Sequence, residues 1–384
     1  MILVIAVLLG LSLIGLGLMN QSAVNGVEAA TEISKAQAFW TAEAGIERTR
    51  ALAHKLCQSG VGELFPSTQP RVWTGLTAWG TFTITVTEES ANPPGYLIIS
   101  DGLSLGNDRR RLSLNIIQGP AMIAGVFGAI DLQLQPNTCV YSYHSSSNPT
   151  PTPATSTGEA IVGSNDEISM KTSNLIDGTI LVGANEEGVP ATTSGCEDRT
   201  LSYAGRIDPD PLGIRDGAYA ILLNNAKTIN NNSALPHITA NTWVVPNNET
   251  SRVSAGVYYV TSIEIRGTVA ITASNGIAEI FLSGPMKAWP SSVISSAGAA
   301  SRFRIYSDST ANIDIQPSGD FGGLVYAPYS NEVRISPGNN FYGVIWADDI
   351  VLLPGGNLFV DADMLSYDAF RVFRISFANW KQLQ

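Results

Sequence analysis

The sequence predicts an α+β fold: a long N-terminal helix, a small antiparallel meander, then a mainly-β right-handed solenoid, with a β-sandwich as the alternative for the last part. Three observations predict it. The first charged residue is Glu28, and the apolar run before it continues without a break into a polar, helix-forming stretch. From Gly80 the periodicity changes from helical to alternating. Near the C-terminus, Phe-Gly-Gly-Leu-Val-Tyr-Ala at Phe321 recurs as Phe-Tyr-Gly-Val-Ile-Trp-Ala at Phe341, 341 − 321 = 20 residues later.

A chain of 384 residues holds two or three modest domains or one elongated repetitive one. The expected divisions are residues 1–56 (helix), 57–118 (meander) and 119–384 (solenoid-like). The balance of 22 Lys and Arg against 33 Asp and Glu gives a net charge of −11, which disfavours nucleic acid because phosphate neutralisation needs a basic face. The run Arg109, Arg110, Arg111 reads as a solvated turn. Three cysteines allow at most one internal disulfide; the candidate pair is Cys139 with Cys196, both in loop-like sequence, leaving Cys57 as the thiol.

Residues 1–19 are apolar apart from Ser12 and three glycines, about long enough to cross a bilayer at 1.5 Å per residue. A secretory signal would show a basic start, a shorter apolar core and a small-residue cleavage site, and these are absent; Met1 is therefore expected to be a processed terminus. A plain anchor would be followed by a linker. Instead no proline occurs between Ser22 and Leu56, and Ala, Glu, Lys, Gln and Arg dominate. One helix over residues 1–56 would be about 84 Å long. Small residues recur every fourth position at Ser22, Gly26, Ala30, Ser34, Ala38 and Ala42, a stripe that lets helix backbones approach closely. With the apolar positions Ile2, Ile5, Leu9, Leu13 and Leu16 it forms the candidate packing surface. Gly10, Gly15 and Gly17 each cost about 1 kcal/mol in a helix, so a non-helical stretch is expected between Ile14 and Ser22. Phe39 and Trp40 are expected to anchor the helix in a globular head.

These residues carry a resemblance. The segment Ala38-Phe39-Trp40-Thr41-Ala42-Glu43-Ala44-Gly45 after an apolar run resembles the N-terminal helix of type IV pilins, most closely the PilX-type pilins. The resemblance covers about the first fifty residues. It implies cleavage of a leader by a prepilin peptidase, residence in the inner membrane before assembly, and then a cell-surface pilus built from copies of the chain and from other pilins. It also implies a small sheet lying against the exposed half of the helix, up to about Gln118. One departure stands out: many pilins carry a glutamate as the fifth residue of the mature chain, and here that position is Ile5.

The strands follow in order. Residues 81–87 and 111–116 alternate cleanly, with residues 96–99 as a third strand between them. Ala160-Ile-Val-Gly163 and Thr179-Ile-Leu-Val-Gly183 show an offset of 183 − 163 = 20 at glycine. A period near twenty with short strands and Gly/Asn turns is the signature of stacked tiers. Residues 322–364 also resemble the solenoid-type domain that follows PilX-like helices in some bacterial surface proteins. Residues 145–157, rich in Ser, Thr and Pro, read as an exposed spur able to carry O-linked sugars. Asn231 and Asn248 match the N-linked acceptor pattern. The aromatic tail, residues 367–380, is expected to cap the last tier.

No catalytic set is legible, and no cofactor or metal is expected. Asp348-Asp349 and Asp361-x-Asp363 are the best acidic pairs, without an accompanying Arg or Lys motif; His54, His144 and His237 lack metal-like spacing. Asp208, Asp210 and Asp216 read as a proline-stiffened acidic loop more than a calcium site. The expected function is structural: a subunit of a type IV pilus-like filament, polymerising through its N-terminal helix, with a chain cut near Thr49 soluble and monomeric. The alternatives are a minor or tip pilin acting as an adhesin for surface glycans, told apart by immunogold labelling at one end, and a membrane-anchored carbohydrate-active solenoid enzyme.

Overall fold

A computed structural model describes residues 2–58, 71–91, 94–196, 199–272, 276–295, 300–336, 340–366, 370 and 373–383, without the side chains of residues 2–11, 54, 57, 58, 71, 91, 94, 295 and 373–379. The chain is mostly β, with one long N-terminal helix and large sheets. It divides into two units, and the first is discontinuous in sequence: residues 1–57, 61–119 and 375–384 form unit 1, and Pro120–Arg374 is the main segment of unit 2.

In unit 1, helix α1 runs unbroken over Ile2–Gln58. The non-helical stretch expected between Ile14 and Ser22 is absent. Two glycines there cost about 1 kcal/mol each, but interrupting a helix strands up to four N–H and four C=O groups on either side of the break. Four strands, β1 (Arg71–Thr77), β2 (Gly80–Ala91), β3 (Pro94–Ser104) and β4 (Arg109–Pro120), pair antiparallel in sequence order. The alternation decides which face is covered: Phe82, Ile84, Val86, Tyr96, Ile98, Leu112, Leu114 and Ile116 are all buried. The C-terminal strand Phe373–Leu383 lies next to β4 in this sheet. This corrects the expectation that the aromatic tail caps the last tier of the second half: the tail closes the first sheet instead, and the ring of Trp380 meets that of Phe39 edge-on at 6.3 Å.

Unit 2 is built from parallel ladders. Val126–Leu134 and Cys139–Tyr143 make one tier; Ala160–Ser164, Glu167–Met170 and Leu175–Ile176 stack on it in parallel. Gly178–Val182, Thr192–Ser194 and Thr200–Tyr203 continue in the same direction. Residues 204–241, which contain helix α2 (Ala218–Ala226), then carry the chain to the far end. From Thr242–Val245 it winds back, tier by tier, until Asn340–Leu352 pairs with Val126–Leu134 and Asn357–Asp361 pairs with Cys139–Tyr143. The first tier made is thus flanked on both sides.

The offset between stacked strands varies. Phe321 pairs with Phe341, as the repeat predicts. Ile280 pairs with Ile305 (305 − 280 = 25) and Val333 with Ile350 (350 − 333 = 17). Gly163 pairs with Leu181 rather than Gly183, which corrects the twenty-residue alignment of that pair. The slip is two residues, so parity is kept and Val162 and Ile180 both stay buried. Turns absorb the length differences while the inward face is preserved.

Many of these strands are buried on both sides, as parallel sheets require. Tyr258, Ile280, Ile305, Val325 and Ile345 fill one core. The alternate positions Tyr259, Phe281, Tyr306, Tyr326, Trp346 and Phe127 are neighbours in register across six tiers and face a second. The crossing segment closes that second core with Ile207, Leu212, Ile214, Tyr219 and Leu223. Asp210 fixes the segment: it accepts hydrogen bonds from the hydroxyls of Tyr326 and of Tyr329, the latter at 2.9 Å, and from the Ile214 amide at 3.0 Å. The Asp208–Asp216 loop is therefore a fastening. Burial still pushes the Asp210 carboxyl above its usual range.

On the outward face of successive tiers, Glu264, Lys287, Asp314 and Arg334 stand in register, alternating in sign. Opposite charges across a ladder stabilise and like charges do not. Lys287→Glu should therefore lower the melting temperature by about 2–4 °C, read by circular dichroism; Lys287→Gln should lose less.

Candidate assembly helix

α1 serves two surfaces in succession. From Ala38 onward the buried positions are Ala38, Thr41, Ala42, Gly45, Ile46, Thr49 and Ala53, a spacing of three and four that marks one helical face. That face lies on the sheet of unit 1. Ser100 Oγ donates to the Ala42 carbonyl at 2.7 Å, and the hydroxyls of Ser34 and Ser104 meet at 2.7 Å. The approach is close because the facing residues are small: a Cβ on Gly102 would lie 2.3 Å from the Ala38 carbonyl oxygen and 2.4 Å from the Ala42 amide nitrogen.

Before Ser34 the situation reverses. Every described side chain from Ser12 to Ile33 is exposed, including Leu13 and Val27, each 68 % exposed. Lys35 pairs with Glu32 at 2.7 Å and Arg50 with Glu47 at 2.7 Å, so the nearby polar turns satisfy their own charges. What stands clear is an uncharged helical surface about 24 Å long from Ser12 to Val27. Isolated helices are marginal in water, and an apolar helix finds its stability in packing.

The expected packing positions separate accordingly. Ile2, Ile5 and Leu9 lie outside the described side chains. Leu13, Leu16, Ser22, Gly26 and Ala30 are exposed and available to a neighbour. Ser34 is half-buried, and Ala38 and Ala42 are buried under the chain's own sheet, so the small-residue stripe passes from an exposed stretch into a covered one. Trp40 is 56 % exposed, which corrects its expected role as a core anchor; its neighbour Phe39 is half-buried. Thr41, Gly45, Ile46 and Thr49 were not picked out from the sequence, although they continue the spacing from Ala38. Glu43, inside the Ala-Glu-Ala-Gly motif, is half-buried with an Oε2 that finds no partner; burial raises its carboxyl above the usual range, and Glu47 adds to this.

Among the described residues no helix is long and apolar enough to cross a membrane. The span expected over residues 1–19 rests largely on side chains outside the description. The bridge expected between Cys139 and Cys196 is not formed; Cys196 Sγ is buried and donates to the Ser194 carbonyl at 3.5 Å. Asn231 is exposed and its Oδ1 accepts the Val257 amide at 2.9 Å; Asn248 is exposed with a positive φ of 66°.

The acidic pairs resolve into distinct settings. Asp349 stands beside Asp131 in register, and burial, with Asp348 and Asp131 adding repulsion, pushes its carboxyl up to about 6. Arg334 lies one tier away, but its guanidinium is engaged by Glu332 at 2.8 Å. His144 meets Asp363, and the next residue's amide reaches Asp361, a grouping that sequence spacing did not show. Among the described residues, no group of three His, Cys, Asp or Glu side chains is arranged to hold a metal ion.

Residues 262–366 match a family described as a domain of unknown function, DUF7305. No curated protein matches the chain. Among solved structures, the competence-associated pilin ComZ from Thermus thermophilus aligns over 91 % of this chain and 97 % of its own, at 10 % identity and a TM-score of 0.29. A likeness of that size carries no argument about fold or function.

Proposed function

We propose that the chain is a structural subunit of a type IV pilus-like extracellular filament, waiting in the inner membrane and polymerising through α1 with copies of itself and with other pilins. The observation that carries this reading is the exposed, uncharged helical surface from Ser12 to Val27, continuous with a helix end that the chain's own sheet already covers. Such a surface gains roughly 25 cal/mol for each Å² of apolar area removed from water. The Ala38–Gly45 motif and its resemblance to PilX-type pilins point the same way. Unit 2 is read as a β-solenoid, for which the parallel in-register tiers and the doubly buried strands are the support; a sandwich would pair its strands antiparallel. Its role is read as structural, without catalysis.

Electron cryomicroscopy of the native filament tests this reading. The expected image has a core of bundled helices, with antibodies against unit 2 labelling the whole length. A filament whose core is β-structured, or a chain recovered only as a membrane-bound monomer, would refute it. The enzyme alternative has its own check. Asp348→Asn is expected to leave filament yield and stability unchanged, with no glycan-cleaving activity to lose in either form.

A further inference from the structure

One cluster of titratable groups in unit 2 stands apart from α1 and from the filament reading. Beyond Cys139–Tyr143 the chain leaves its tier at His144, forms the Ser/Thr/Pro-rich spur of residues 145–157, and returns through Glu159 to Ala160–Ser164. His144 is bracketed at both ring nitrogens: Nδ1 is 2.9 Å from Asp363 Oδ1 and Nε2 is 3.0 Å from Glu159 Oε2. Asp363 comes from the 3-10 turn Ala362–Leu365, next to the strand Asn357–Asp361. Its second oxygen accepts the Ser146 amide at 2.6 Å and the Ser145 hydroxyl at 3.3 Å. The fully buried Asp361 accepts the Ser145 amide at 3.2 Å on Oδ1, while its Oδ2 finds no partner.

We propose that protonated His144 is a clasp fixing the 145–157 spur to the tier beneath it, and that loss of the imidazole proton releases the spur. A neutral imidazole donates from one nitrogen only, so the other would turn a lone pair toward a carboxylate. Both groups that meet the ring are acidic: Asp363 from the 3-10 turn and Glu159 from the spur's return. Behind Asp363 lie Asp361, reached by the Ser145 amide, and the Tyr143 hydroxyl, which burial and these two carboxylates keep protonated. Without the proton nothing in that set neutralises the carboxylates. Glu159 is the end that lets go. Asp363 is also held by Ser145 and Ser146, which stay in place. Glu159 Oε2 keeps only the Thr157 hydroxyl at 3.2 Å and its side chain is largely solvated, so the spur loosens from its returning end.

The sign follows from the partners. The hydrogen bond to Asp363, followed by that to Glu159, raises His144 above its ordinary value of 6.5. Its stabilisation is therefore complete below 6.5 and is lost as pH climbs through the raised value. Burial lifts the neighbouring Asp361 to about 6.

The chain has only three histidines, His54, His144 and His237, which makes the test direct. Carbon-13 histidine spectra of the full chain in detergent should show His144 titrating above 6.5, with Glu159→Gln lowering that midpoint. Hydrogen exchange across residues 145–157 should be about tenfold faster in His144→Gln than in the wild type near pH 6, and equal near pH 9. Exchange in the surrounding tiers should not differ, which separates release of the spur from unfolding. A midpoint at or below 6.5, or spur protection near pH 6 that survives His144→Gln, overturns the proposal.

Discussion

A chain beginning at Ser34 is expected to be soluble and monomeric, whereas one beginning at Thr49 is expected to lose the fold of unit 1. The first cut removes the exposed stretch from Ser12 to Ile33 and leaves the face that covers the sheet. The second strips away Ala38, Thr41, Ala42, Gly45 and Ile46, and so uncovers Phe82, Ile84, Ile98 and Leu114. Each large apolar side chain returned to water costs about 1.5–3 kcal/mol, so four or more consume the 5–15 kcal/mol margin of an ordinary domain. Light scattering after size exclusion reads the first outcome, and loss of amide protection over β2–β4 reads the second. Fibres formed by the Ser34 form would show that assembly does not run through the exposed stretch. The sequence alone placed the cut at Thr49, because the small-residue stripe gives no sign of where the sheet's cover begins.

Trp346→Ala should be the most damaging single substitution in unit 2, at about 3–5 kcal/mol. The side chain is fully buried, its ring lies 4.3 Å from that of Phe127, and its Nε1 donates to the Pro209 carbonyl at 2.7 Å. It therefore ties three stretches of chain together: its own strand, the first tier and the crossing segment. Truncation leaves a cavity between them and a carbonyl without its donor. Thermal unfolding should fall by about 6–20 °C, at 2–4 °C for each kcal/mol in a unit of this size. Exchange should quicken first in residues 207–226, which Trp346 and Tyr326 fasten through the Pro209 carbonyl and the Leu212 amide. Equal acceleration throughout the tiers would show that the crossing segment is no looser than the strands.

What the sequence disclosed depended on how local the cause was. The helix is legible because good formers run without proline past residue 50, and β2 is legible because Thr81 to Thr87 alternates. The echo of Phe321 in Phe341 is a true ladder pair, since both strands fill the same two cores. The pairing of Gly163 with Leu181 was hidden because a two-residue slip leaves every buried position buried. Nothing local announces that Ile345 meets Val126, or that the tail joins β4, since these choices belong to whole strands competing for an edge. The bracket around His144 joins groups 219 positions apart, beyond any spacing rule. For the candidate site, the exposed apolar run could be read from composition. The buried face after Ala38 could not be assigned, because a sheet and a neighbouring helix ask for the same small residues.

The flanked first tier has a consequence in time. Val126 emerges from the ribosome 345 − 126 = 219 residues ahead of its partner Ile345. At a synthesis rate of about 5–20 residues per second, the edge of Val126–Leu134 stands open for roughly 10–45 s. The sheet of unit 1 waits longer still, since its strand Phe373–Leu383 is made long after β4, which it joins. An unpaired strand edge invites other chains, so this interval is when the newborn protein is most open to aggregation.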